Sequence, residues 1–501
     1  MKTIVRRMLI MLLAAALCLP AALAELQPEN AVPSLPAEPV ADAPVKALKS
    51  VYNGNPISSE IFCADPTAVE YEGRLYVYAT NDHQQYIAKG ADAENTYERI
   101  KSFVIFSTDD MVNWIYHGTI DTASIAPWVW ASWAPSVISR VEADGLTHFY
   151  LYFSNSGAGV GVLTATNPLG PWTDPLGHML VSAQTPGLTD CPQPFDPGAV
   201  IDDAGTGWLS FGGGVAPGGT DAMPGTARIV RLGSDLISLE GPIAQIPAPY
   251  FFEASELNYI NGTFVYTYCS NWKERAEEPR IPVAGMDYMT TKTPLDPESW
   301  VFRGEYFKNP GRSGFDYSNN HTHLHKYQGT WYMIYHTMSL KAAMGIKGGY
   351  RSVCVNELPV DEERVTLTAV GGTSRGIVKP LKSVNPFETQ PAASRAAGAG
   401  LSWNAPGYTL NMESGAWTRV AGVDFTGAGA QGTFFAEVKG KGTLEVRLDS
   451  LTGETVAAVA FDSTQDFVTV QAPAALPDGT HDLYFVLSGK YIWFAAWQFA
   501  R

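Results

Sequence analysis

From about Val51 to Ser383 the chain is a succession of short runs in which apolar or aromatic residues alternate with polar ones, each tied to a glycine. RLYVYAT follows Gly73, LTHFYLYFS follows Gly145, GWLSFGG lies just after Gly205, TFVYTYCS follows Gly262 and TWYMIYHT follows Gly329. A period of two puts successive side chains on opposite faces of a strand, and the glycine supplies the positive φ of a tight hairpin turn. Other short apolar runs, such as Phe103 to Ser107, Val160 to Ala165 and Arg228 to Leu232, fall between the glycines. Helical periodicity is weak, so the pattern predicts an all-β repeat. Spacings of 72, 60, 57 and 67 residues leave room for a four-stranded unit at each step. Such units bury both faces only against neighbours, so five of them close radially into a five-bladed β-propeller with a narrow funnel.

The register gives the first functional expectation. Asp65 stands eight residues before Gly73, Asp196 nine before Gly205, Glu253 nine before Gly262 and His321 eight before Gly329. If each glycine marks the turn after an innermost strand, all four side chains begin equivalent strands and converge on the axis. Three carboxylates gathered at one mouth repel one another and raise at least one pKa, which stability alone disfavours. Asp-Pro is also a turn former, which accounts for Asp65-Pro66 or Asp196-Pro197 singly but not for the shared register. Paired carboxylates in a funnel suit glycoside hydrolysis, where one protonates the leaving oxygen while another activates water or attacks the anomeric carbon. Trp128, Trp130 and Trp133 in APWVWASWAPSVI either offer faces to a sugar or pack a blade edge.

The two ends of the chain read differently. Residues 1–24 carry Lys2, Arg6 and Arg7, an apolar run from Met8 to Leu19 and a terminal Ala22-Leu23-Ala24, the form of a secretory signal peptide cleaved after Ala24. A secreted protein, extracellular or periplasmic, is therefore expected. Residues 25–50 are rich in Pro and Ala and are expected to form a flexible linker. The propeller spans residues 51–384. Beyond it, NPFETQPAASRAAGAG is a loose passage, and WTRVAGVDFTGAGA, GTLEVRLDSLTGETVA, DGTHDLYFVLSGK and WFAAWQF predict a small β-sandwich of jelly-roll type over 385–501.

Composition narrows the partners. With 501 residues, 46% hydrophobic and 12% aromatic, the chain can fill more than one core, and its net charge of −16 argues against nucleic acid or an anionic membrane surface. Cys63, Cys191, Cys269 and Cys354 remain after the leader; no CxxC pair suggests zinc, and buried thiols are at least as well supported as disulfides.

Taken in order, CADPTAV, WASWAPSVI, PFDPGAVIDD, FFEASELNYINGTFVYTY and NNHTHLHKYQGTWYMIYH resemble glycoside hydrolase family 43 over roughly Asn55 to Val384. The resemblance implies a five-bladed propeller that inverts anomeric configuration, with Asp65 as general base, Glu253 as general acid and Asp196 as the residue that tunes and orients the acid. Glu256 matches no catalytic position. Trp130, Trp133 and His321 are the candidate substrate contacts. His321 also sits where many members hold an axial histidine near a calcium or water cluster, although Thr322 follows where a second His is common. A structural calcium held through water is thus admitted, and no cofactor is required for catalysis. The end of the chain resembles a family 6 carbohydrate-binding module, with Trp417 at the first aromatic platform and Trp493 where that family places an Asn. Together these imply a monomeric enzyme that removes α-L-arabinofuranosyl side chains from arabinoxylan, a plant cell-wall polysaccharide. The alternatives are a β-xylosidase or arabinanase on the same propeller, or a sugar-binding propeller without catalysis.

Overall fold

A computed structural model of the protein describes residues 26–275 and 280–501, so the leader sequence lies outside the described residues. Five separate sheets follow one another along the chain. Blade I is Ala64–Tyr71, Arg74–Thr80, Phe103–Thr108 and Ile115–Ile120. Blade II is Ser132–Val141, Thr147–Asn155, Gly159–Ala165 and the short Val181–Ser182. Blade III is Gly198–Ile201, Gly207–Phe211, Arg228–Leu232 and Leu239–Gln245. Blade IV is Phe251–Ile260, Thr263–Ser270, Met286–Thr291 and Val301–Phe307. Blade V has three strands, Thr322–Tyr327, Thr330–Thr337 and Ser352–Glu357.

The first strand of each blade touches the first strand of the next, and that of blade V touches blade I, which closes the ring. One apolar core fills each gap between blades. Phe103 and Phe153 pack edge to face between I and II and Trp208 and Phe264 between III and IV, while Val160 and Leu209 share the core between II and III, and Val265 with Met333 and Val77 with Ile334 share those at the last two gaps. Both faces of every blade are therefore buried, which is why the alternating strands are aromatic and apolar on both sides.

Gly73, Gly262 and Gly329 close two-residue hairpins in which the preceding residues, Glu72, Asn261 and Gln328, also have positive φ. That is the turn whose twist matches the strands it joins. Gly145 and Gly205 instead sit in longer loops between Val141 and Thr147 and between Ile201 and Gly207. The expected fourth strand of blade V is replaced by the stretch before Asp65. Ile57 N–H donates to Val353 O at 2.9 Å, Cys63 N–H to Arg351 O at 2.9 Å, and the Asn55 side chain accepts from Val355 N–H at 2.8 Å.

The C-terminal module is a sandwich built on two long strands, Gln431–Leu448 and Thr455–Ala475. The first of these pairs with Trp493–Ala500 along its first half and with Thr480–Ser488 along its second, so it passes from one layer to the other. Phe434, Phe485, Phe494, Trp497 and Phe499 fill the space between.

Composition misleads at residues 25–50. From Leu26 onward the stretch is a strap docked on the module. Val32–Pro33 pairs in parallel with Val470–Gln471, Leu26 packs on Phe435 and Ala496, and Val40 and Val45 pack on Trp417. An extended Pro-rich chain needs few internal hydrogen bonds, so its Val and Leu side chains are free to cover an apolar face. The passage at 385–400 is likewise ordered. Arg395 exchanges both backbone hydrogen bonds with Trp114 of the propeller, and Ala397–Ala399 pairs with Trp417–Arg419. All four cysteines among the described residues are free and buried.

Candidate active site

The inner strands begin at the mouth with a backbone irregularity. Asp65, Ala134, Asp196 and Ala254 have φ of 48°, 26°, 50° and 61°, and the ladders of blades I, II and IV slip at this level. Bulges re-aim the adjoining side chains, and strained φ values of this kind gather where function demands them. The shared register is thus exact for Asp65 and Asp196 but not for Glu253. Ala254 occupies the equivalent place, and Glu253 lies one residue nearer the mouth, half-buried where Asp65 and Asp196 are buried.

Arg351 holds Asp65. Its Nη1 donates to Asp65 Oδ1 at 2.9 Å, while Nε and Nη2 fork onto the two oxygens of buried Asp82, each at 2.9 Å. Tyr97 lies against the guanidinium, 4.8 Å from the ring centre, and Asn95 donates to Asp82 at 3.0 Å. Burial pushes the Asp65 carboxyl up, but Arg351, with smaller contributions from His336 and His321, outweighs it and holds Asp65 below the usual carboxylate range. Burial brings both histidines down to about 4, so at neutral pH the guanidinium is the cation that matters. His336 is a neutral brace: its Nδ1 accepts from Asp65 N–H at 3.2 Å and its Nε2 lies 2.9 Å from Asn319 O.

Glu253 experiences the opposite environment. Burial, then the charges of Asp196 and Asp65, push its pKa well above that of an ordinary glutamate, against a smaller opposing pull from Arg351. Asp196 is itself pushed up to about 7 by burial, despite accepting from Ala254 N–H at 2.8 Å and from Ser154 Oγ at 3.2 Å. Its bond to Ala254 pins the backbone immediately after Glu253. The funnel therefore holds one carboxylate kept ionised beside a pair that holds on to a proton between them, a division suited to acid–base work.

His321 is buried with Nδ1 3.9 Å from Asp65 Oδ1. One layer further down the axis, Glu256 and His323 meet at 2.8 Å, and burial drives both toward their neutral forms. Among the described residues no group of three or more His, Cys, Asp or Glu is arranged around a metal position. Imidazoles and a carboxyl kept protonated are poor partners for calcium, which takes six to eight oxygens. The axial donors do not form a direct ligand set for that ion.

Of the predicted aromatic contacts, Trp130 is 65% exposed at the mouth of blade II with Lys101 over its ring. Trp133 is half-buried; its Nε1 donates to Tyr97 O at 3.0 Å, so it backs the residue that covers Arg351. Trp128 stacks on Phe153 and is a packing residue. Sequence reasoning missed Arg351, Asp82 and Tyr97, and it missed the exposed Trp272 and Tyr317 in loops at the same end. Arg351 leaves one local mark, a lone charge before the apolar strand SVCV.

Trp417 is not the aromatic platform expected of the module. Trp417 is 1% exposed, its Nε1 donates to Val45 O at 2.8 Å, and the strap lies over it. No sugar reaches that ring. Trp493, by contrast, is half-buried and sits edge-on to Tyr408, which stacks with Phe467 at 5.8 Å. This trio forms a continuous aromatic cluster at the module's surface.

Paired carboxyls held in opposite protonation states within one funnel suit the acid–base cleavage of a glycosidic bond. The profile of glycosyl hydrolases family 43 matches residues 53–363, and that of carbohydrate binding module family 6 matches residues 399–501. An arabinoxylan arabinofuranohydrolase of Paenibacillus polymyxa is 37% identical over 89% of this chain and 74% of its own. One of Bacillus subtilis strain 168 is 35% identical over 90% of this chain and 93% of its own. A solved structure of a Bacillus subtilis arabinoxylan arabinofuranohydrolase of family 43, in complex with cellotetraose, superimposes with a TM-score of 0.84 at 34% identity, covering 91% of this chain and 99% of that one. The chain belongs to glycosyl hydrolases family 43 and is a glycoside hydrolase. Catalysis in that family requires no cofactor.

Proposed function

We propose that this enzyme is secreted and acts as a monomer on arabinoxylan of plant cell walls, removing α-L-arabinofuranosyl side chains with inversion. The observation that carries the reading is the split between Asp65, held ionised by Arg351, and Glu253, held protonated beside Asp196. Glu253 donates its proton to the leaving oxygen as the glycosidic bond breaks. Asp65 takes a proton from water attacking the opposite face of the anomeric carbon, a geometry that needs roughly 6.5–9.5 Å between the carboxyls. Asp196 keeps Glu253 protonated and in place. Arabinoxylan is favoured because the relatives at 37% and 35% identity carry that substrate in their names, and secretion because of the form of residues 1–24. His321 holds water, or a calcium through water, beneath the sugar, so His321→Ala should lower the rate while leaving the fold intact, and an unchanged rate would leave it a packed polar residue.

The test is sugar release from arabinoxylan with proton NMR of the first product. Free arabinose appearing as the β-anomer, with the xylan main chain unshortened, is expected. Released xylose would replace this reading with a β-xylosidase, and shortening of arabinan with no arabinose released from arabinoxylan would replace it with an arabinanase. Glu253→Gln should lower the rate on the polymer by about 10²–10⁴ and affect an aryl glycoside with a good leaving group much less. Equal losses would remove Glu253 from the acid role.

A further inference from the structure

Apart from the funnel, the propeller, the strap and the module together enclose a groove of about 480 Å³. It is lined by Leu48 of the strap, Ile87 and Met344 of the propeller, and Trp403 and Met412 of the module, all exposed to solvent. Five large apolar side chains meeting in one concavity mark a binding surface rather than scattered surface residues. The groove lies at the funnel's end of the molecule. Its propeller wall comes from the helices Asp82–Lys89 and Ser339–Met344, which follow the second strands of blades I and V where those strands return to the mouth. Asp82, which grips Arg351, is the neighbour in sequence of His83, which lines the groove.

His83 is the second, independent sign. It is 6% exposed, and its ring lies 4.8 Å from that of Trp403. Its Nδ1 accepts from Phe62 N–H at 3.4 Å, so Nε2 carries the proton, and Nε2 has no hydrogen-bond partner. A buried donor left without a partner is costly; Nε2 has no accessible surface here, so an acceptor brought by a ligand reaches it as the neighbouring Trp403 indole gives way. Lys46 and Glu413 line the groove with opposite charges, and Glu60, which also lines it, is paired with Arg395 at 3.4 Å, so the walls present no single sign of charge to an ion. A neutral ligand with apolar faces and many hydroxyls fits an exposed indole beside a free N–H, and the volume falls in the usual range of roughly 300–1,000 Å³ for small-ligand sites.

We propose that this groove is a second carbohydrate subsite, in which Trp403 stacks on a sugar ring of the xylan main chain and His83 Nε2 donates to one of its oxygens. This rests on the arabinoxylan reading and extends it: the polymer is held at the junction of propeller and module while its side chain occupies the funnel. Two measurements on the full chain test it. Trp403→Ala should lower kcat/KM on arabinoxylan about five- to twentyfold, through KM, the loss of one stacking contact. Its kcat/KM on p-nitrophenyl α-L-arabinofuranoside should stay within about twofold of the parent enzyme. An unchanged value on arabinoxylan, or equal losses on both substrates, would overturn the proposal. Xylohexaose binding to Glu253→Gln and to the double variant Glu253→Gln/Trp403→Ala, measured by calorimetry, does not depend on arabinose release. Weaker binding by the double variant supports the subsite, and equal binding overturns it. Failure of the parent enzyme to release arabinose from arabinoxylan would sink the substrate reading while leaving this second measurement to decide the groove.

Discussion

At the scale of single residues, the enzyme works by giving like groups unlike surroundings. Asp65 and Glu253 share one funnel, yet a guanidinium faces the first, whereas burial and a second acid dominate the second. The pH profile follows. The base is ionised from low pH upward, so the alkaline limb is set by the Glu253–Asp196 pair titrating together. Asp196→Asn keeps an acceptor for Ala254 N–H but removes a like charge, so Glu253 should lose its proton at lower pH. The alkaline limb of kcat/KM should move down, and an unmoved or raised limb would disprove the coupling. Stability carries the opposite sign from activity. A carboxyl whose folded pKa is raised costs stability as pH climbs from its unfolded value through its folded one. Glu253→Gln escapes that cost and should melt at a higher temperature than the parent enzyme at neutral pH, with the difference closing below the ordinary glutamate range. Asp65 and Asp196 were legible because each sits in the repeat, eight or nine residues before its glycine. Arg351 was not, since its meaning depends on Asp65 and Asp82, which lie far from it along the chain and next to it in space.

At the scale of elements, the strands and their hairpins were readable because period-two alternation and turn chemistry are local. The closing edge of blade V and the strap were not. Asn55–Cys63 pairs with a strand almost 300 residues away in sequence, and Val32–Pro33 with Val470–Gln471, and neither partner alters the local pattern of the other. The same long-range packing reverses the roles of two tryptophans. Trp417→Ala would open a void under the strap and cost about 3 to 5 kcal/mol, visible as a lower melting temperature with no selective loss of xylan affinity. Trp493→Ala lies on the half-exposed aromatic trio and should weaken whatever xylan affinity the module has while the melting temperature barely changes. Affinity lost in Trp417→Ala at unchanged stability would restore it as a platform.

At the scale of the whole molecule, the two matched families meet through a shared seam rather than a hinge. Asn113 and Ala421 exchange hydrogen bonds of 2.9 and 3.0 Å, Arg395 pairs with Trp114 through the backbone and with Glu60 through its guanidinium at 3.4 Å, and Gly407 N–H donates to Tyr116 O at 2.9 Å. Lys49 is buried where strap and propeller join. Its Nζ donates to Pro56 O at 2.7 Å, and burial lowers its pKa to about 8 despite the nearby Glu60. Removing the chain from Asn385 onward would leave Trp114, Asn113 and Glu60 without their partners and uncover the module-facing side of the strap. Independent modules would predict full activity of the truncated chain on aryl glycosides, because Asp65, Asp196 and Glu253 all lie in the propeller. The seam predicts otherwise. The truncated enzyme should unfold at a lower temperature and lose aryl-glycoside activity on warming before the parent does, while its initial rate at low temperature stays close to that of the full chain. Thermal melts and activity time courses on both forms decide this. Equal melting temperatures would mean that the seam contributes nothing to the propeller, and a collapsed initial rate in the cold would mean that the module shapes the funnel itself.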